Sequence, residues 1–156
     1  MTAHDTDFEF LSAQLKSLCE ADPWWLPVLS NASALLYSNL PDLNWAGFYL
    51  MHEGHLTLGP FQGKVACINI ALGKGVCGTA AQEDRTQLVR DVHAFPGHIA
   101  CDSASNSEIV VPIHKEDGRL TGVLDIDSPI PARFDEKDRE GLELFVKTLE
   151  KNIVWN

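Results

Sequence analysis

"SEIVVPIHKEDGRLTGVLDIDS", residues 107–128, reads as two strands joined by a tight turn at "EDG". Successive side chains of a strand point to opposite faces. Ile109, Val111 and Ile113 therefore share one face, and Glu108 lies on the other with Val110. In the second run Leu124 and Ile126 point one way, Asp125 and Asp127 the other. The hairpin predicts a sheet with one plainly apolar face and carboxylates on its reverse.

Working outward, "NWAGFYLM" (44–51), the turn "EGH" and "LTLGPF" (56–61) form a second hairpin. Its alternation sends Ala46, Phe48 and Leu50 to the apolar face and Trp45 and Tyr49 to the carboxylate face. "KVACINIAL" (64–72) reads as a further strand that stops at the breaker "GKG". "GVCGTAAQED" (75–84) then reads as a short helix and "TQLVRD" (86–91) as a short strand, followed by irregular chain over 91–107. Helical spacing of Phe8, Leu11, Leu15 and Leu18 predicts a helix over 7–20. A second helix runs from Pro23 to Leu40, with Leu26, Leu29, Ala32, Leu36 and Leu40 as apolar positions, and Pro41 ends it. A last helix starts near Asp135 and carries Leu142, Leu144, Phe145, Val146 and Leu149. The class is α+β, an antiparallel sheet with helices at both chain ends.

The chain has 156 residues, suited to one domain spanning 1–156, and shows no repeat or linker. Acidic residues outnumber basic ones 22 to 12, and no basic stripe offers itself to a nucleic acid. The N-terminus lacks the basic and apolar regions of a signal peptide, and no apolar run reaches the roughly 20 residues of a membrane helix. A cytoplasmic protein without a membrane partner is the expectation. Persistent disulfides are uncommon there, so its four cysteines ask for another explanation.

Cys19 falls in the first helix and carries no assigned role. Cys67 alternates with Val65 and is compatible with a core position. Cys77 follows "GKG" at a helix start, where the helix dipole favours a thiolate. Cys101 stands in a polar loop, an unusual home for a packing cysteine. None has CxxC spacing, and His93, His98, Cys67 and Cys101 are too irregularly spaced to predict a metal site. Gly73, Gly75 and Gly78 match neither a P-loop nor a dinucleotide fingerprint, and read as turn formers that leave room for a thiol or small ligand. The acids on one face of "DID" are about 7 Å apart, close enough to hold a proton if buried.

Taken together, "NWAGFYL", "LGPFQGKVAC", "GKGVCGTA", "DVHAFPGHIACDSASNSEIVVPI" and "GVLDIDS" resemble the free methionine-(R)-sulfoxide reductases, a family built on the GAF domain. The matching stretches cover most of residues 31–128 and bring three cysteines in order. Only the "HKEDG" turn and the short C-terminus depart, both peripheral. The resemblance implies a GAF-like sheet with helices packed on one face. It implies Cys101 as nucleophile, Cys67 as the resolving partner that forms a disulfide with it, and Cys77 as an alternative resolver or aid to recycling. Trp45 and Tyr49 would line the pocket for the substrate's methyl group and side chain. Glu108, Asp125 and Asp127 would contact the sulfoxide oxygen or the ammonium group, with Glu108 and Asp127 taking part in catalysis.

The implied chemistry is coherent. A thiolate attacks the sulfoxide sulfur, an acid protonates the departing oxygen, and methionine leaves a sulfenic acid behind. A second thiol condenses with it to a disulfide, which an external dithiol such as thioredoxin reopens. No cofactor or metal is implied. Homodimers are common among GAF-like proteins by analogy. Two rival readings share the architecture: a ligand-binding GAF sensor, and a thiol switch without a substrate.

Overall fold

The computed structural model describes residues 5–98 and 103–156. Two hairpins supply the centre of a six-stranded antiparallel sheet: β1 (Trp45–His52) with β2 (His55–Gly63), and β5 (Ser107–His114) with β6 (Leu120–Ser128). Two short strands, β3 (Asn69–Ile70) and β4 (Gln87–Val89), complete it in the order β3-β2-β1-β6-β5-β4. The hairpins meet because β1 pairs antiparallel with β6, from Trp45 opposite Asp127 to Leu50 opposite Gly122.

Side-chain alternation separates two cores. On one face Ala46, Phe48, Ile109, Val111, Ile113, Leu124 and Ile126 are buried beneath helices α1 (Phe8–Ala21), α2 (Trp25–Asn39) and α4 (Glu136–Asn152). Cys19 belongs to this core. On the other face Trp45, Tyr49, Val110 and Val123 pack with Val76, Cys77, Ala80 and Ala81 of the short helix α3 (Gly75–Glu83). Three helices thus cover the apolar face as expected, while the fourth closes over the carboxylate side.

The helix ends follow local chemistry. Asp7 caps α1 by accepting from the Phe10 N–H at 3.0 Å. Asp135 and Asp138 form a reciprocal capping box at the start of α4, each carboxylate accepting the other's backbone N–H at 3.0 Å. Gly141 lets α1 sit against α4, since a Cβ there would lie 2.1 Å from the Phe8 ring. α2 begins two residues later than Pro23 because Trp24 is extended and bridges to Val154. Leu26 and Leu144, two of the apolar positions of α2 and α4, are exposed.

The strand expected over 64–72 shrinks to Asn69–Ile70, opposite Leu56 and Thr57. Upstream of it, carbonyls that a ladder would need are taken by aromatic side chains. Trp45 Nε1 donates to the Lys64 carbonyl at 3.2 Å, and the Tyr49 hydroxyl donates to that of Cys67 at 2.9 Å. Val65 is consequently 88% exposed rather than core, and Cys67 is half-buried. No helix among the described residues is long and apolar enough to cross a membrane.

Candidate active site

Strand pairing assembles the site row by row. Trp45 on β1 stands opposite Asp127 on β6, and Asp127 stands opposite Glu108 on β5. One pleat further along, Gly47, Asp125 and Val110 form the next row. Trp45, Tyr49, Glu108, Asp125 and Asp127 consequently line one cavity, together with Lys74, Cys77, His98 and Ser105. Five residues expected at the site from two separate hairpins are thus brought together.

The aromatic side is a stack. Trp45 lies between Tyr49, with ring centroids 5.8 Å apart, and Phe61, at 5.1 Å and an interplanar angle of 15°. Phe61 takes its place because Gly47 has no side chain: a Cβ there would meet the Phe61 Cβ at 2.2 Å. The indole and phenol also anchor the 64–67 segment through the two hydrogen bonds described above, so the wall and the cysteine-bearing segment are held as one unit.

The acidic side is buried. Glu108 is 7% exposed and Asp125 5%. Burial pushes the Glu108 carboxyl well above the ordinary range, and neighbouring Asp125 and Asp127 push it the same way. Burial likewise raises Asp125, opposed by hydrogen bonds from Glu108 and Cys77. Oδ1 of Asp125 has no hydrogen-bond partner among the described residues. Burial of Tyr49, reinforced by the nearby acids, keeps its phenol protonated.

The thiols differ from one another. Cys77 and Cys19 are free, whereas Cys67 is disulfide-bonded. Cys101 lies outside the described residues. Cys77 sits in the first turn of α3, but the expected thiolate does not result. Complete burial outweighs the helix dipole, and Asp125, Glu108 and Asp127 add repulsion, so its pKa stands well above the ordinary value. The thiol donates to Glu108 Oε2 at 3.9 Å.

The glycine turn sets the height of α3 over the sheet. Gly75 has φ +63° and donates its N–H to the Gly97 carbonyl at 3.1 Å, which ties the loop carrying His98 to the helix start. At Gly78 a Cβ would lie 2.4 Å from the Ala71 carbonyl oxygen, so the close approach is to the chain's own backbone. The His98 imidazole has its pKa lowered by burial and by His93, with ring centroids 6.2 Å apart. His98 is therefore largely neutral near pH 7 and able to take a proton. Lys74 and Ser105 also line the cavity, and neither was singled out from the sequence. Asn44, next to Trp45, holds Ser105 by a 3.0 Å hydrogen bond from Nδ2 to Oγ.

The GAF domain model matches residues 12–153. The chain is 51% identical to the free methionine-R-sulfoxide reductase of Escherichia coli, covering 90% of this chain and 85% of that one. It is 49% identical to the free methionine-R-sulfoxide reductase of Saccharomyces cerevisiae, over 94% and 86% of the two chains. It superposes on the structure of fRMsr of Staphylococcus aureus in complex with substrate with a TM-score of 0.91 at 54% identity, covering 99% of this chain and all of that one. On these matches and its carboxylate-lined cavity, the chain belongs to the GAF-domain family and, within it, to the free methionine-R-sulfoxide reductases.

Proposed function

We propose that this protein reduces free methionine-(R)-sulfoxide to methionine, with Cys101 as nucleophile, Cys67 as resolving thiol and a thioredoxin-like dithiol as reductant. The observation that carries the reading is the buried carboxylate pair Glu108–Asp125 facing the Trp45–Tyr49 wall, beside a segment whose Cys67 is disulfide-bonded. A sensor needs a pocket, but neither a retained proton nor a redox-active thiol at its edge.

The cavity suits each part of the substrate. The flat Trp45 and Tyr49 rings offer apolar surface to the methyl and methylene groups. Asp125 Oδ1 is a buried acceptor left for the ammonium group. Lys74 at the rim is placed for the carboxylate group. Selectivity for the free amino acid follows, because a peptide-linked residue offers no such ammonium and leaves a buried acceptor unpaired.

In the reaction the Cys101 thiolate, its proton accepted by a neutral base such as His98, attacks the sulfoxide sulfur. Glu108, acting with Asp127, gives its proton to the sulfoxide oxygen. The protonated oxygen then passes from the substrate sulfur to the Cys101 sulfur as the transient sulfur–sulfur bond breaks, so methionine departs as the reduced thioether and Cys101 is left as a sulfenic acid. The Cys67 thiol then attacks the Cys101 sulfur, expelling the oxygen as water and forming the disulfide. Two electrons from an external dithiol restore both thiols. Half-buried Cys67 suits the resolving step better than Cys77, whose thiol is held protonated by its surroundings.

The test is a single turnover of the reduced protein with each sulfoxide epimer, without added reductant. Methionine should appear from the R epimer as a disulfide forms. A ligand sensor or substrate-free thiol switch would leave the sulfoxide intact.

A further inference from the structure

We infer that Cys77, Glu108 and Asp125 form a binding site for a divalent, borderline-soft cation of the zinc type. Each of the three offers one ligand atom, and these atoms all lie within 4.8 Å of one another, every residue being buried. The second observation is the unpartnered, buried Oδ1 of Asp125, a residue only 5% exposed that lines the cavity.

The donor set distinguishes this occupant from an ammonium group. An ammonium needs only oxygen acceptors, and it makes no use of the Cys77 sulfur. One thiolate and two carboxylates are ordinary zinc ligands, and three protein ligands leave a fourth position open. Zinc–ligand distances of about 2.0–2.3 Å place tetrahedral ligand atoms about 3.6 Å apart. The Cys77 sulfur and Glu108 Oε2 already stand 3.9 Å apart. Bringing ligand atoms from the 4.8 Å limit to that spacing is a shift of about 1 Å. The Cys77 proton and the proton retained by Glu108 both leave to solvent as the metal bonds form, so no oxidant or reductant enters the step.

The cation occupies the space that the proposed reaction assigns to the substrate. That consequence rests on the reductase reading: zinc excludes methionine sulfoxide and inhibits reversibly. Binding itself does not rest on it, which separates the two failures.

The experiment uses the disulfide form of the full chain, in which Cys67 is oxidised and cannot ligate. Cobalt(II) is titrated as a spectroscopic stand-in, followed by displacement with zinc. A near-ultraviolet thiolate-to-cobalt charge-transfer band should appear and should vanish when zinc is added. It should be lost in Cys77→Ser and retained in Cys19→Ser, the other free thiol. Glu108→Gln and Asp125→Asn should each weaken zinc binding roughly tenfold or more, measured against a chromophoric chelator. Circular dichroism of each variant checks folding, and the two amide variants keep shape should the serine variant misfold. Absence of the band in the wild type, its survival in Cys77→Ser, or unchanged zinc affinity in both amide variants would overturn the site. If zinc binds but methionine sulfoxide fails to displace it, the metal site stands and the reductase reading of the cavity is the one in difficulty.

Discussion

Glu108 and Asp127 stand directly opposite each other across the β5–β6 ladder, on the face that α3 closes over. Burial penalises the charged form of Glu108, and repulsion from Asp125 and from the directly paired Asp127 adds to it, so a proton is retained by the cluster above the ordinary carboxylate range. This proton is the one the proposed reaction spends on the sulfoxide oxygen. Glu108→Gln or Asp127→Asn keeps the shape and removes an acid. For at least one of them, the single-turnover rate should fall by a factor of roughly 10² to 10⁴, with a smaller change in substrate affinity. In the wild type the rate should fall as pH rises through the raised pKa of the cluster. Rapid-quench measurement of methionine release across pH checks both statements.

The same burial makes Glu108 costly to the fold. Its folded pKa lies above its unfolded value, so the folded state holds more protons between the two, and stability falls as pH rises through that window. Below the unfolded pKa the difference disappears. Glu108→Gln should therefore raise the melting temperature at pH 7 and leave it little changed near pH 4. Thermal denaturation of both proteins with a chelator present measures this directly, and a lower melting temperature at pH 7 would contradict it.

The period of two in both hairpins was enough to place Trp45, Tyr49, Glu108, Asp125 and Asp127 on one face, because alternation needs no knowledge of tertiary contacts. What α3 does was not legible. Whether "GVCGTAAQED" covers that face depends on the close approach of Gly78 to the Ala71 carbonyl and on the Gly75–Gly97 hydrogen bond, which joins residues far apart in sequence. The protonated Cys77 is a consequence of that burial, which is why the helix-dipole expectation failed. Phe61 had a signal in its place across from Gly47 in the hairpin, but only the register with its irregularity after Gly47 reveals it. Lys74 and Ser105 come from turns, where no periodicity points to a cavity.

The substrate's ammonium group should count for much of its recognition. N-acetylated methionine sulfoxide removes that charge and leaves Asp125 Oδ1 without its proposed partner. A penalty of about 1–3 kcal/mol corresponds to roughly a 5- to 150-fold lower kcat/KM. Equal values for the free and acetylated substrates, from steady-state assays, would refute this account of the pocket.

Trp45 should serve both substrate and segment. Trp45→Phe keeps an aromatic surface but deletes the Nε1 donor to the Lys64 carbonyl. The segment bearing Cys67 should loosen, slowing disulfide formation after the first chemical step while methionine release is less affected. Stopped-flow tryptophan fluorescence is unsuitable once Trp45 is gone, so thiol loss is followed by quenched alkylation and mass spectrometry. Parallel slowing of both steps would assign Trp45 to substrate binding alone.

The identity of the nucleophile is tested by single-turnover mass spectrometry of the reduced protein and two variants. Wild type should release about one methionine per chain and close a disulfide. Cys67→Ser should release the same amount once, then stop with a sulfenic acid that dimedone traps on Cys101. Cys101→Ser should release none. Appreciable methionine from Cys101→Ser, or a trapped sulfenic acid on Cys67 or Cys77 instead, would contradict the account.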